Sequence, residues 1–151
     1  MSYKGKFKPK NPKKYKGNPK NIIYRSLLER RFMVYLDNNP SVLKWSSEEI
    51  IIPYVSPLDN RVHRYFPDFY MQYKNKDQMI VEDLIEVKPF KQTSPPDPKR
   101  KITKTGRKSK RYLREVQSYI INDAKWKQAI KYCESRGWNW KIITEKEINI
   151  Y

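Results

Sequence analysis

The sequence predicts an α/β domain, a mixed β-sheet flanked by helices. Three observations predict it. Apolar residues recur at helical spacing over 24–38 and again over 109–136. Between those stretches lie several short β-branched and aromatic runs separated by turn residues. One more such run, "WNWKIITEKE", follows the second helical stretch. Strands first, then a helix leading back to a final strand, give a sheet of mixed direction.

The first twenty residues, "MSYKGKFKPKNPKKYKGNPK", are dominated by Lys, Pro, Gly, Asn and Tyr with no period. They read as a basic flexible arm over 1–20, extended and dispensable for folding. The remainder, 21–151, reads as a single domain. In "YRSLLERRFMVYLDN" (24–38), Leu27, Leu28, Phe32, Tyr35 and Leu36 make a helical stripe that stops before "NNP", with Glu29 off its centre. "SVLKWSS" and "EEIIIPYVSP" read as strands, and "PLDNR" as a turn. "HRYFPDFYMQYK" reads as one strand, "KNKD" as its turn and "QMIVEDLIEVK" as the return. That order makes an antiparallel meander with Asp68 and Glu86 on neighbouring strands. A basic Pro/Lys-rich insert follows at 89–111, then a helix over 109–136, broken near Asn122 and Asp123 and stopped by Gly137.

A chain of 151 residues and 18.4 kDa supports one core and no more. Cys133 is the only cysteine, so an intramolecular disulfide and a cysteine zinc site are excluded, and Cys133 reads as core-facing. The one histidine, His63, argues against multi-histidine metal sites and reads as a strand or turn residue. No run has membrane length and the first residues lack an apolar signal core, so a soluble, non-secreted protein is expected.

The net charge of +17 is concentrated. Residues 1–20 and 89–114 hold eighteen of the 33 basic residues and one of the 16 acids, and the rest of the chain is neutral. Such segments suit a polyanion, through phosphate contacts that carry little base information. The residues expected to touch DNA are Lys4, Lys6, Lys8, Lys10, Lys13, Lys14 and Lys16 in the arm. In the insert and the helix after it they are Lys99, Arg100, Lys101, Lys104, Arg107, Lys108, Lys110, Arg111 and Lys125.

Two carboxylates stand inside apolar runs: Asp68 after Pro67 in "RYFPDFYMQYK", and Glu86 in "DLIEVKPFK". An acid in such a run is costly unless something binds it. Phosphodiester hydrolysis at neutral pH needs the phosphate charge neutralised and a water made nucleophilic, and a divalent metal supplies both. Mg²⁺ takes hard oxygen ligands, usually one or two carboxylates, and Asp68 and Glu86 fit that pair with the Val87 carbonyl as a third oxygen. Strand periodicity puts Lys88 on the same face as Glu86, where an ammonium orients water or stabilises developing charge. Glu48, Glu49, Glu82 and Asp83 read as surface charges.

These residues resemble the PD-(D/E)xK nuclease superfamily, "FPDF" supplying PD and "IEVK" supplying ExK. The resemblance implies a restriction-endonuclease-like core, with Asp68 and Glu86 as metal ligands, Lys88 as the catalytic lysine, and Glu29 of "SLLERRF" as a further or water-mediated ligand. The order of motifs looks most like the TnsA-type transposon end nucleases and the head completion nucleases of tailed phages. "RSLLERRFM", "SSEEIIIPY", "HRYFPDFY" and "AKWKQAIKYCESRGW" extend the likeness to the latter along nearly the whole chain. It implies a Mg²⁺-dependent deoxyribonuclease of low sequence specificity, with Mn²⁺ able to substitute. The substrate it implies is double-stranded DNA, whose packaged ends would be processed in head completion and head-tail joining. It also implies a portal or neck partner, and a place in the virion head-neck region and the host cytoplasm. Two other readings make separate predictions: a structural DNA- or portal-binding head protein without turnover, and a junction-type nuclease that prefers branched DNA as a dimer. The insert at 89–111 is long for the superfamily and departs from its minimal pattern.

Overall fold

The protein's structure, a computed structural model, describes residues 4–100, 104 and 109–148. In chain order the elements are β1 (Gly5–Lys6), β2 (Ile23–Tyr24), α1 (Leu27–Asn38), β3 (Val42–Ser47), β4 (Ile52–Val55), β5 (Val62–Tyr65), β6 (Phe69–Lys74), β7 (Ile80–Val87), α2 (Lys110–Arg136), β8 (Asn139–Ile143) and α3 (Glu145–Ile148). A four-stranded sheet in the order β3-β6-β7-β8 forms the centre. β3, β6 and β7 run antiparallel, and β8 returns parallel to β7 after α2, so the sheet is mixed and helix-flanked as the sequence predicts.

The register Phe69↔Ile85, Tyr70↔Leu84 sorts side chains onto two faces. On one face Phe69, Met71, Ile85 and Val87 meet Phe32, Met33 and Leu36, whose spacing puts them on one side of α1. On the other, Tyr70 and Leu84 meet Ala129 and Cys133 of α2, together with Ile52, Tyr54 and Tyr65. Cys133 is core-facing as expected, and burial pushes its thiol up to about 11. Phe32 is fully buried, and truncating such a residue to Ala costs about 3–5 kcal/mol.

Both long helices have chemical stops. Ser26 caps α1, its Oγ accepting from Glu29 N–H at 3.1 Å, so the helix starts at Leu27 while Tyr24 pairs in β2. Ser109 caps α2 in the same way through Tyr112 N–H. Gly137 ends α2 at φ 69°, a left-handed conformation that suits glycine, with its N–H on the Cys133 and Glu134 carbonyls.

Four expectations are corrected. Residues 4–20 are not a dispensable extended arm, because Phe7 and Tyr15 are buried against Trp45 with ring centroids at 5.9 and 4.7 Å. Tyr15 also bridges to Trp45 and Lys16 N–H donates to the Trp45 carbonyl, so the segment covers the edge strand β3. Asp37, almost fully buried at the end of α1, accepts from Lys10 N–H at 2.7 Å and Asn11 N–H at 3.0 Å. The composition looked disordered, yet these aromatics and one acid fix it. Second, "HRYFPDFYMQYK" is two strands, because Pro67 has no N–H to extend the first. Third, β4 and β5 leave the meander as a separate hairpin against α2. Fourth, α2 runs unbroken through Asn122 and Asp123, where Asp123 pairs with Lys127 one turn on at 2.9 Å.

Candidate active site

Asp68 stands in the gap between β5 and β6, held at both ends of the residue. Its carbonyl accepts from Glu48 N–H at 3.1 Å, and its carboxylate accepts from Val87 N–H at 2.8 Å through Oδ2. One step along the ladder from Phe69↔Ile85 brings Asp68 opposite Glu86. The two acids of the sequence motif are thus brought together by the antiparallel pairing of β6 with β7, as the meander reading expected.

Glu86 is 5% exposed, and the cost of burying it is offset by two donors on one oxygen. Tyr65 Oη of the β4-β5 hairpin donates to Glu86 Oε2 at 2.8 Å, and Trp126 Nε1 of α2 donates to the same atom at 3.3 Å. Burial, then the adjacent Glu86 charge, drives the Tyr65 phenol far above its ordinary range, so it stays a donor. Burial and Glu86, which acts as a like charge and a hydrogen-bond partner, raise the Asp68 carboxyl well above the usual carboxylate range, with Glu29 adding to the effect.

Glu29 is near but differently engaged. Its Oε2 accepts from the N–H of Arg25, the residue before the Ser26 cap, at 3.0 Å. Burial raises its pKa first, and the charges of Glu48 and Glu86 add to that. Glu48, read as a surface charge, is part of the surroundings: it sits at φ 53°, pairs with Arg25 at 3.2 Å, and its charge reaches Glu29. Asp83 is likewise no surface charge, being fully buried against Lys141 at 2.7 Å and Asn139 at 2.9 Å on the opposite face from Glu86. His63 lies on β5, exposed and paired with Asp59 at 2.8 Å.

Lys88 continues β7, its N–H bonding the Ile143 carbonyl at 3.0 Å, and shares the face of Glu86. Lys125 joins it from α2, 5.5 Å from the Tyr65 ring centroid and 5.8 Å from that of Tyr54. Burial lowers its pKa and the Lys88 charge adds to that, while Glu86 and Asp68 oppose. An acid pair and two ammonium groups therefore share one centre.

Among the described residues no three Asp, Glu, His or Cys side chains form a ready-made cage. The assembled part is the Asp68–Glu86 pair. Its donor set is all hard oxygen, and a divalent cation would relieve the like-charge contact between the two acids. Such a pair fits an ion that takes one or two carboxylates. Val87 contributes its N–H to Asp68.

The residues expected at the DNA surface are less uniform. Lys4, Lys6, Lys8, Lys10, Lys13, Lys16, Lys99, Lys104 and Lys110 are exposed, and Arg111 is exposed but bonded to Glu115 at 3.1 Å. Lys14 differs, because its Nζ donates to the Asp37 and Asn39 carbonyls at 2.9 and 2.8 Å and so closes the end of α1. Lys101, Arg107, Lys108 and the Arg100 side chain lie outside the described residues.

Sequence reasoning missed Tyr65 and Trp126. Aromatics in apolar surroundings read as core, and the three-residue offset of Tyr65 from Asp68 was the only local signal.

The chain is similar to known proteins in two respects. Residues 39–145 match the family model described as TnsA-like endonuclease N terminal. Over 145 residues, 96% of this chain and 93% of the other, the chain is 41% identical to the head completion nuclease of Enterobacteria phage T4.

Proposed function

The chain belongs to the TnsA-like endonuclease N-terminal family, and on that premise we propose that it is a head completion nuclease hydrolysing DNA phosphodiesters with Mg²⁺. The observation that carries the reading is the contact of Asp68 with Glu86, two acids that burial and mutual repulsion leave in need of a cation. Asp68 and Glu86 would hold the ion, with the Val87 carbonyl and Glu29 as further ligands. A divalent ion bound there supplies phosphate charge neutralisation and acidifies water.

The chain's own residues do the rest. Val87 N–H aims Asp68, and Tyr65 with Trp126 fixes one oxygen of Glu86, leaving its other oxygen for the site. Lys88 and Lys125 present ammonium groups to the scissile phosphate, the former placed to steer water and stabilise charge as it develops. The exposed lysines of 4–16 and of the insert hold the DNA backbone with little base discrimination. No described helix is long and apolar enough to cross a membrane, and the portal or neck of a filled head is the proposed protein partner.

Conversion of supercoiled plasmid tests this. Wild-type protein should nick or linearise it in Mg²⁺ or Mn²⁺, EDTA should stop the reaction, and Lys88→Ala should reduce it at least about 100-fold. Equal conversion in EDTA would remove the metal from the account, and no conversion under any condition would favour a structural head protein.

A further inference from the structure

We propose that the cleft between the insert and the first half of α2 is a track for unpaired DNA leading into the active centre, a proposal that rests on the nuclease reading of that centre. The cleft has a volume of about 670 Å³ and is walled by residues 90–97 on one side and by α2 on the other. Arg114, Ser118, Tyr119 and Asn122 line it from the helix.

Both walls begin at the active centre. At 100° per residue, Arg114, Ser118, Tyr119 and Asn122 fall on the same face of α2 as Lys125 and Trp126. Trp126 bonds Glu86, and the charge of Lys125 reaches Glu86 and Asp68. α2 is unbroken over this length, so its lining and its active-site contacts form one stripe of roughly 20 Å. The opposite wall starts at Phe90, two residues beyond Lys88, and is anchored where Phe90 N–H donates to Glu145 at 3.0 Å.

The chemistry suits a strand of nucleic acid. Lys91 and Arg114 are exposed and form no ion pair among the described residues, whereas the acids of the cleft are engaged. Asp97 accepts from Lys99 N–H, and Glu115 binds Arg111. Lys146 lies over one face of the Phe90 ring, which stays exposed, and Tyr119 is half-buried, so the cleft offers an aromatic for a base on each wall. Cations with an aromatic along a groove are how single strands are held without base readout. A cleft of this volume takes a few nucleotides of one strand and cannot enclose a duplex. The substrate class is therefore a frayed or tailed DNA end.

Fluorescence anisotropy with the full chain in EDTA tests this without cleavage, using a blunt duplex and the same duplex carrying a 3′ or 5′ single-stranded tail. Tailed DNA should bind more tightly than blunt DNA. Arg114→Ala and Tyr119→Ala should each weaken tailed binding by about 10-fold and leave blunt binding within about twofold. Ser118→Trp, which fills the cleft from an exposed position, should act likewise, and thermal melts check that each variant folds. Equal loss on blunt and tailed DNA would make the cleft a duplex backbone contact and overturn the proposal, as would no loss on either. If the wild type cleaves no DNA, the nuclease reading fails while the tail preference still stands or falls by itself.

Discussion

Tyr65 Oη lies 2.8 Å from Glu86 Oε2, so a hairpin outside the central sheet fixes an acid within it. The hairpin is thereby part of the proposed metal site as well as a cover for α2. Tyr65→Phe should keep the fold and, among the described residues, leave Trp126 as the donor on Glu86 Oε2. Loss of such a partner typically weakens metal binding about 10–100-fold. Mn²⁺ titration by calorimetry should show that loss, with cleavage partly restored at high Mn²⁺. Unchanged Mn²⁺ affinity would make the tyrosine merely structural.

The Asp68 carboxyl gives stability a definite pH dependence when metal is absent. Its folded-state pKa is raised above the ordinary value of 3.8, so the folded protein holds this proton more tightly than the unfolded chain. That contribution is present below 3.8 and is lost as pH rises through the elevated folded value. Glu29 acts in the same direction. Asp68→Asn should therefore melt higher than wild type at neutral pH in EDTA, and the difference should shrink on acidification. A variant that melts lower than wild type at neutral pH would contradict the like-charge account.

Asp37 ties the basic N-terminal segment to α1 by accepting from Lys10 and Asn11 N–H. Asp37→Ala should cost about 2–4 kcal/mol, because hydrogen bonds to a buried charge are lost together. Denaturant unfolding measures it. Removal of residues 1–20 should destabilise more, since it also strips Phe7 and Tyr15 from Trp45. A truncated chain as stable as the full one would show that this packing contributes nothing.

The acid pair and its lysine were legible in the sequence because strand periodicity and turn chemistry are local. The turn at Asn75 to Gln78 sends β7 back along β6 and so returns Glu86 to Asp68, although local pattern reads through the break at Pro67 as strand. Partners contributed from elsewhere were not legible. Tyr65 and Trp126 are read as core until the fold shows a carboxylate between them, and Asp83 looks solvated until Lys141 arrives from β8. Local pattern also could not say that β3 pairs with β6, which expels β4 and β5 as a hairpin. The N-terminal segment failed for a related reason: the aromatics of a Lys/Pro-rich run carry no period, yet Phe7 and Tyr15, with Asp37, seat it.

The central claim is that Asp68 and Glu86 together hold the cation used in hydrolysis. Cleavage and DNA affinity measured side by side for Asp68→Ala test it most directly. The expected result is a loss of at least about 10³-fold in plasmid cleavage in Mg²⁺, with DNA affinity within about twofold of wild type. Cleavage by Asp68→Ala at the wild-type rate, with contaminating nuclease excluded, would contradict the assignment.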